Sequence, residues 1–492
     1  MHSFSILIII TLYFALLMLI SYFTSRKSSD NEAFFLGNRK SPWYVVALGM
    51  VGTSLSGVTF ISVPGMVRNV DMTYMQMVLG FFVGYIAIAY ILLPLYYRLN
   101  LTTIYGYLGQ RFGAKSHKTG ASFFLLSKTI GAAVRLYLVA IILQRLVFDA
   151  WNVPFVITVI GIIVLIWGYT AKSGIKTIVW TDALQTFVLI AALVLIIVGL
   201  MSNMGLNVSE TAQVIRDNGH ARIFVFDDWH STQNFFKLFF SGIFITIVMN
   251  GLDQDMMQKN LSCKNLKDAQ KNMISYGLAF TPVTLLFLVL GALLLVYAGQ
   301  HQIVLPTVSD EILPMITSQY FDGWAFGLFI IGIIAASFSS ADSALTALTT
   351  SFCVDILGVE KVKMTEAVKT RRMTHIGISA VFVIIILIIQ AIATDSVIHA
   401  IYKVASYTYG PLLGLYLFGL YSKVKPIDKY VPYVAILAPI LCFSIEIMLK
   451  HILNYQIGFE LLILNALLTG LGLFLIRATV ETRHTSSLQR NI

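Results

Sequence analysis

Gly52-Thr53-Ser54-Leu55-Ser56-Gly57-Val58-Thr59 sits in the middle of an apolar run that extends over 43–67. Glycines and a run of hydroxyls weaken the helical ladder, and Ser and Thr offer side-chain partners to the backbone groups set free. A run of this length crosses a hydrocarbon core about 30 Å thick, so the octapeptide reads as a break inside a spanning helix. A second interrupted run, 234–256, carries Asn250-Gly251-Leu252-Asp253-Gln254-Asp255. Four spans separate the two, so each opens a block of five, roughly 43–201 and 234–421. An odd number of spans per block inverts the second copy across the membrane, and paired midspan breaks then mark a binding site. Close packing of small residues is the other reading of both stretches.

The rest of the chain agrees with a membrane protein. Of 492 residues, 57% are hydrophobic and 12% charged, with mean hydropathy +0.80; a soluble protein carries about 25% charged residues. Apolar runs recur from 4–24 to 456–476, giving an all-α protein of about thirteen transmembrane helices. The alternating strands of an outer-membrane barrel are not seen. The net charge of +10 could suggest nucleic acid, but the basic residues are sorted by side. Arg26, Lys27, Arg39, Lys40, Arg98, Arg111, Lys115 and Lys118 fall in alternate connections with Lys172, Lys176, Lys259, Lys264, Lys267 and Lys271, as do Lys361 to Arg372, Lys423 to Lys429, Arg477, Arg483 and Arg490. The opposite connections hold far fewer. The positive-inside rule places the N-terminus outside and the C-terminus in the cytoplasm. The balance is topological, and no nucleic-acid partner or obligatory protein partner is expected. The first apolar run lacks a basic leader and cleavage site, so it reads as a retained helix. Cys263, Cys353 and Cys442 have no metal or disulfide spacing. No G-x-x-x-x-G-K-[ST], H-E-x-x-H or G-x-S-x-G motif is present, so neither an ATP motor nor an enzyme is indicated.

The expected organisation is a leading helix and cytoplasmic connection (1–40), a first five-helix repeat (41–201), and a periplasmic loop (202–233). A second, inverted repeat (234–425) and two extra helices with a cytoplasmic tail (426–492) follow. Ionisable side chains inside spans are costly and mark function. The span 324–356 contains Ala335-Ala336-Ser337-Phe338-Ser339-Ser340-Ala341-Asp342-Ser343. Ser339, Asp342 and Ser343 share one helix face and offer the oxygens a hard monovalent cation needs on leaving water. Ser340, about 100° round the helix, reaches a different neighbour. Asp182, after Trp180-Thr181 in 177–201, is a second buried acid. If it meets Asp342, the two carboxylates demand a bound cation or a proton. In 119–147, Lys128 is expected near a helix end with its head snorkelling. Arg135 either partners a substrate carboxylate or has a structural ion-pair or outer-vestibule role. Lys403, within 397–421, is open to the same two readings or to an interfacial one.

These motifs, in order and spacing, resemble the sodium:solute symporter family over roughly 35–425. The resemblance rests on the Gly52–Phe60 break, Trp180-Thr181-Asp182-Ala183-Leu184-Gln185, Asp253-Gln254-Asp255-Met256-Met257-Gln258-Lys259, Asp268-Ala269-Gln270-Lys271, Ser339-Ser340-x-x-Ser343 and Tyr409-Gly410-Pro411-Leu412-Leu413-Gly414-Leu415. It implies a leucine-transporter-like core and Na+-coupled symport of a small organic solute (a sugar, sialic acid or other carboxylate-bearing metabolite) into the cell by alternating access. It also implies a multi-pass protein of the bacterial inner membrane that takes one or two Na+ ions. The common sodium site would use carbonyls of Gly52, Leu55 and Ala336 with hydroxyls of Ser339 and Ser340. A second site, as in sialic acid-type members, would match Asp182, Ser339, Asp342 and Ser343. Asp342 stands where those members often have Ser, and is either an extra sodium ligand or a proton carrier. Substrate candidates are Ser54, Ser56, Thr59, Tyr74, Gln76, Arg135 and Gln254, with Phe60 as a gate. Sialic acid-type members are expected to carry Arg near the Gly131 position, one turn before Arg135. A proton-coupled symporter of the same fold and a solute-sensing transceptor are the alternatives.

Overall fold

The computed structural model of the chain describes residues 3–25, 30–172, 174–321, 323–392, 397–453, 455 and 457–477. Arg26, Lys27, Arg483 and Arg490, and the side chain of Lys403, lie outside the described residues. The principal helices in chain order are α1 (Ser3–Ser25), α2 (Trp43–Ser54), α3 (Gly57–Val70), α4 (Tyr74–Arg98), α5 (Ala114–Leu143), α6 (Phe155–Thr170), α7 (Ile175–Asn203) and α8 (Phe235–Gly251). They continue with α9 (Gln254–Leu261), α10 (Leu266–Gln300), α11 (Gly323–Ile356), α12 (Met364–Ile392), α13 (Val397–Tyr421), α14 (Val431–Leu453) and α15 (Leu461–Leu475). Among the described residues seven helices are long and apolar enough to cross a membrane, or nine spans when each of two bent pairs counts as one. The shorter apolar stretches Ile10–Ser25, Phe155–Thr170 and Leu461–Leu475 accompany them.

The two bent pairs fall at the two sequence breaks. α2 ends at Ser54, Leu55 leaves helical geometry (φ −84°, ψ 73°), Ser56 is extended, and α3 departs at 60°. The second break opens with a wide turn over Ile247–Gly251 and closes where the Asp253 carboxylate caps α9, accepting from Asp255 N at 2.9 Å; the bend is 64°. Broken backbone in a membrane protein must find partners inside the protein. Here the Tyr96 and Tyr105 hydroxyls donate to the carbonyls of Gly251 (2.9 Å) and Leu252 (3.0 Å).

Glycine at the first break also sets how closely its neighbours approach. A Cβ on Gly52 would lie 2.1 Å from Thr186 Oγ1 on α7, and one on Gly57 would lie 2.1 Å from Ser337 Oγ on α11. The break is therefore pressed directly onto α7 and α11, which pack along each other. α11 is the innermost span, with 78% of its most apolar stretch buried, against 22% for α12 and for Asp428–Leu453. The faces turned away from this core expose Leu12, Ile157, Phe187, Val198, Ile384 and Leu437. Apolar surface on this scale is a lipid-facing wall, since soluble monomers keep such patches to a few hundred Å².

Candidate functional site

A cavity of about 1210 Å³, including the part that opens to solvent, lies between the two breaks. Ser54, Ser56 and Thr59 line it from the first break and Asn250 and Asp253 from the second. Tyr276 on α10 links the breaks: its hydroxyl lies 2.5 Å from Ser54 Oγ, donates to Asn250 Oδ1 at 3.1 Å, and accepts from Tyr85 at 3.0 Å. On the α5 wall, Gly131 leaves open space, with nothing within 4 Å of where a Cβ would stand. Arg135 lines the same wall, and among the described residues it makes no hydrogen bond or ion pair. A half-buried guanidinium without a protein partner is suited to an incoming carboxylate, which it can hold by two parallel N–H donors.

Lys128 corrects the sequence reading. It is not a snorkelling residue at a helix end, because α5 begins at Ala114 and places position 128 in midspan. Its Nζ lies 3.2 Å from both oxygens of Asp253 and 2.7 Å from Asp255 Oδ2. Tyr409 OH donates to Asp253 Oδ2 at 2.7 Å. The residue that caps α9 thus also pins the second break to α5 and α13.

Lys259 is a second correction. The sequence assigned it to a basic cytoplasmic connection, but it is 1% exposed and its Nζ lies 2.7 Å from Asp182 Oδ2 on α7. The same ammonium donates to Thr53 Oγ1 at the first break. Asp182, fully buried, also accepts from Ser339 Oγ (2.8 Å), Ser343 Oγ (3.1 Å) and Thr53 Oγ1 (3.1 Å). Charge buried to this degree persists only when paired and hydrogen-bonded. Asp342 is buried as well, but its Oδ2 accepts from Tyr169 OH on α6 at 2.8 Å.

One helical step round α11, Ser340 Oγ donates to Thr53 O at 3.0 Å and lies 3.2 Å from Ala336 O. The last carbonyls of a helix lack intrahelical partners, and α2 ends here against hydroxyl-bearing α11. At this junction the Thr53 and Ala336 carbonyls both meet the Ser340 hydroxyl, and oxygen donors of this kind are what a hard cation requires.

The cavity brings together Ser54, Ser56, Thr59, Tyr74 and Arg135 from the sequence candidates. Three others are engaged elsewhere. Gln76 bonds Thr73 O, Gln233 O and Val225 N, tying α4 to the loop before α8. Gln254 bonds Ile104 N and Thr102 O. Phe60 is buried edge-on against Phe287 at 5.4 Å, away from the cavity lining. Tyr276 and Tyr169 were missed, and Tyr409 and Lys259, though inside quoted motifs, were given no site role; all four lie outside the polar midspan runs that flagged the others. The three cysteines are free and buried. Burial, with Asp268 nearby, pushes the Cys263 thiol up to about 12, so it stays protonated and packs as a small apolar group.

The sequence profile of the sodium:solute symporter family matches residues 34–425. The chain is 25% identical over 425 residues to the sodium/sialic acid symporter NanT of Aliivibrio fischeri, spanning 84% of this chain and 82% of that protein. It is 24% identical over 430 residues to the sodium/sialic acid symporter SiaT of Proteus mirabilis, spanning 84% and 83%. The human sodium/iodide cotransporter is 23% identical over 406 residues, 79% of this chain and 61% of that one. Among solved structures, the substrate-bound outward-open state of a Na+-coupled sialic acid symporter aligns with TM-score 0.81 at 20% identity, covering 96% and 97% of the two chains. The closed, bromovinylhydantoin-bound nucleobase-cation symporter Mhp1 aligns with TM-score 0.58 at 14% identity, covering 91% and 93%. The fold is therefore shared with helical transporters of the leucine-transporter-like type.

Proposed function

The chain belongs to the sodium:solute symporter family, and from that membership we propose that it imports a small carboxylate-bearing solute with Na+ by alternating access across the bacterial inner membrane. It is a transporter and not an enzyme. The three shorter apolar helices and α13 complete thirteen spans, with the N-terminus periplasmic and the C-terminus cytoplasmic. The residues 41–201 and 234–425 are the two inverted repeats, flanked by the leading helix, the 202–233 loop and the two helices of 426–492.

The observation that supports this reading is the double use of the first break. Thr53 O meets Ser340 at the α2–α11 junction, and the adjoining Ser54, Ser56 and Thr59 line the cavity. Sodium held by the Gly52, Leu55 and Ala336 carbonyls and the Ser339 and Ser340 hydroxyls would fix the very segment that shapes the solute site. Each ligand then raises the affinity of the other, which is coupling in the thermodynamic sense. Arg135 receives the solute's carboxylate, in keeping with relatives named for sialic acid and iodide, both anions. Inward rocking opens the site to low cytoplasmic sodium, and the membrane potential adds about 2.3 kcal/mol per charge per 100 mV.

Thermal unfolding of purified protein tests the sodium site without knowledge of the solute. Na+ at a hundredfold excess over its Kd is expected to add about 2.7 kcal/mol of stability, K+ at equal ionic strength to add none, and Ser340→Ala to lose the difference. Equal shifts with Na+ and K+ would remove the sodium site.

A further inference from the structure

The second sodium site implied by the resemblance does not fit this chain. Asp182 Oδ2 already holds an ammonium, Lys259 Nζ at 2.7 Å, and both groups are buried. Ser339 and Ser343 donate their hydroxyl hydrogens to the Asp182 oxygens, since an ionised carboxylate only accepts; their lone pairs remain, so it is the ammonium that fills the place of the ion. Asp342, the remaining expected ligand, accepts from Tyr169 OH and, among the described residues, shares no hydrogen-bond donor side chain with Asp182. A Na+ bonded to Asp182 would sit about 4 Å from the ammonium, a like-charge contact that weakens its binding.

We infer that Lys259 is a tethered cation standing in for a second Na+, so that the transporter binds one sodium ion, at the α2–α11 junction alone. The inference rests on the sodium-coupled reading above and sets its ion count. Lys259 belongs to α9, the far half of the second broken span, yet it reaches Asp182 on α7 and Thr53 on the first broken span. The positive charge that a second ion would bring and release stays with the protein, and it ties the two breaks together. It moves only as α9 moves.

Equilibrium binding of ²²Na+ to the purified full-length transporter counts the ions directly, with no solute required. The wild type is expected to saturate at one ion per chain. Lys259→Gln keeps a hydrogen-bonding head toward Asp182 and Thr53 but drops the charge. It is expected to saturate at two, with the Hill slope of Na+-induced stabilisation rising from near one toward two. Two ions in the wild type would overturn the inference and leave sodium coupling standing. A folded Lys259→Gln that still binds one would also overturn it. If that variant does not fold, the wild-type count decides, since one ion per chain is required and two is excluded. No bound ion in the wild type would overturn this inference and the sodium-coupled reading together.

Discussion

Replacing Asp182 with Asn is expected to reduce Na+-driven uptake sharply and to destabilise the protein by up to about 3 kcal/mol, because the buried Lys259 ammonium loses its nearest carboxylate and keeps only Asp255 at 3.9 Å. The carboxylate accepts from Thr53, Ser339 and Ser343 and holds the Lys259 ammonium, so one side chain joins α7, α11, α9 and the end of α2. Asn preserves the volume, and its single carbonyl can still accept from the hydroxyls. It cannot neutralise an ammonium that is 1% exposed. Thermal unfolding and uptake in proteoliposomes measure the two effects separately. The double variant Asp182→Asn, Lys259→Met should recover most of the lost stability, because removing both charges abolishes the desolvation cost along with the attraction. Its uptake should stay low, because the link between the two breaks is gone. A double variant no more stable than Asp182→Asn would mean that the cost lies in packing and not in the stranded charge.

Arg135→Gln is expected to raise the Kd of an anionic solute about thirtyfold or more, corresponding to at least 2 kcal/mol for losing one partner of a desolvated charge pair. Arg135 lines the cavity and has no partner among the described residues, so its removal strands no protein group. Stability without solute should therefore change little, and so should stabilisation by Na+. Solute-induced stabilisation and competition by uncharged analogues are the readouts. If a carboxylate and its amide are weakened equally, Arg135 shapes the cavity without reading charge.

The breaks were legible because their cause is local. Gly52, Gly57 and the hydroxyls between them cannot hold a continuous helix, and Asn250 to Asp255 carry a turn and an N-cap in their composition. Asp182, Ser339 and Ser343 were legible for a related reason: such groups within an apolar run need one another. Lys259 was not. Its position, six residues beyond Asp253, reads as a loop when a span is taken as straight, and the 64° bend keeps α9 inside the protein. Lys128 was misplaced because the sequence put the start of its span at 119, five residues past the true beginning of α5 at Ala114. Gln76 and Gln254 show the opposite failure. A buried amide in a span looks like a ligand group, yet both cap backbone donors of remote loops, at Val225 and Ile104, that no local pattern announces.

The most direct measurement is accumulation of labelled anions (sialic acid, iodide and short monocarboxylates) in proteoliposomes under an imposed inward Na+ gradient, with K+ and H+ gradients as controls. Sodium-coupled symport predicts that one class of anion concentrates inside only under the Na+ gradient, and that Ser340→Ala abolishes it. Accumulation that follows a proton gradient and is indifferent to Na+ would contradict it.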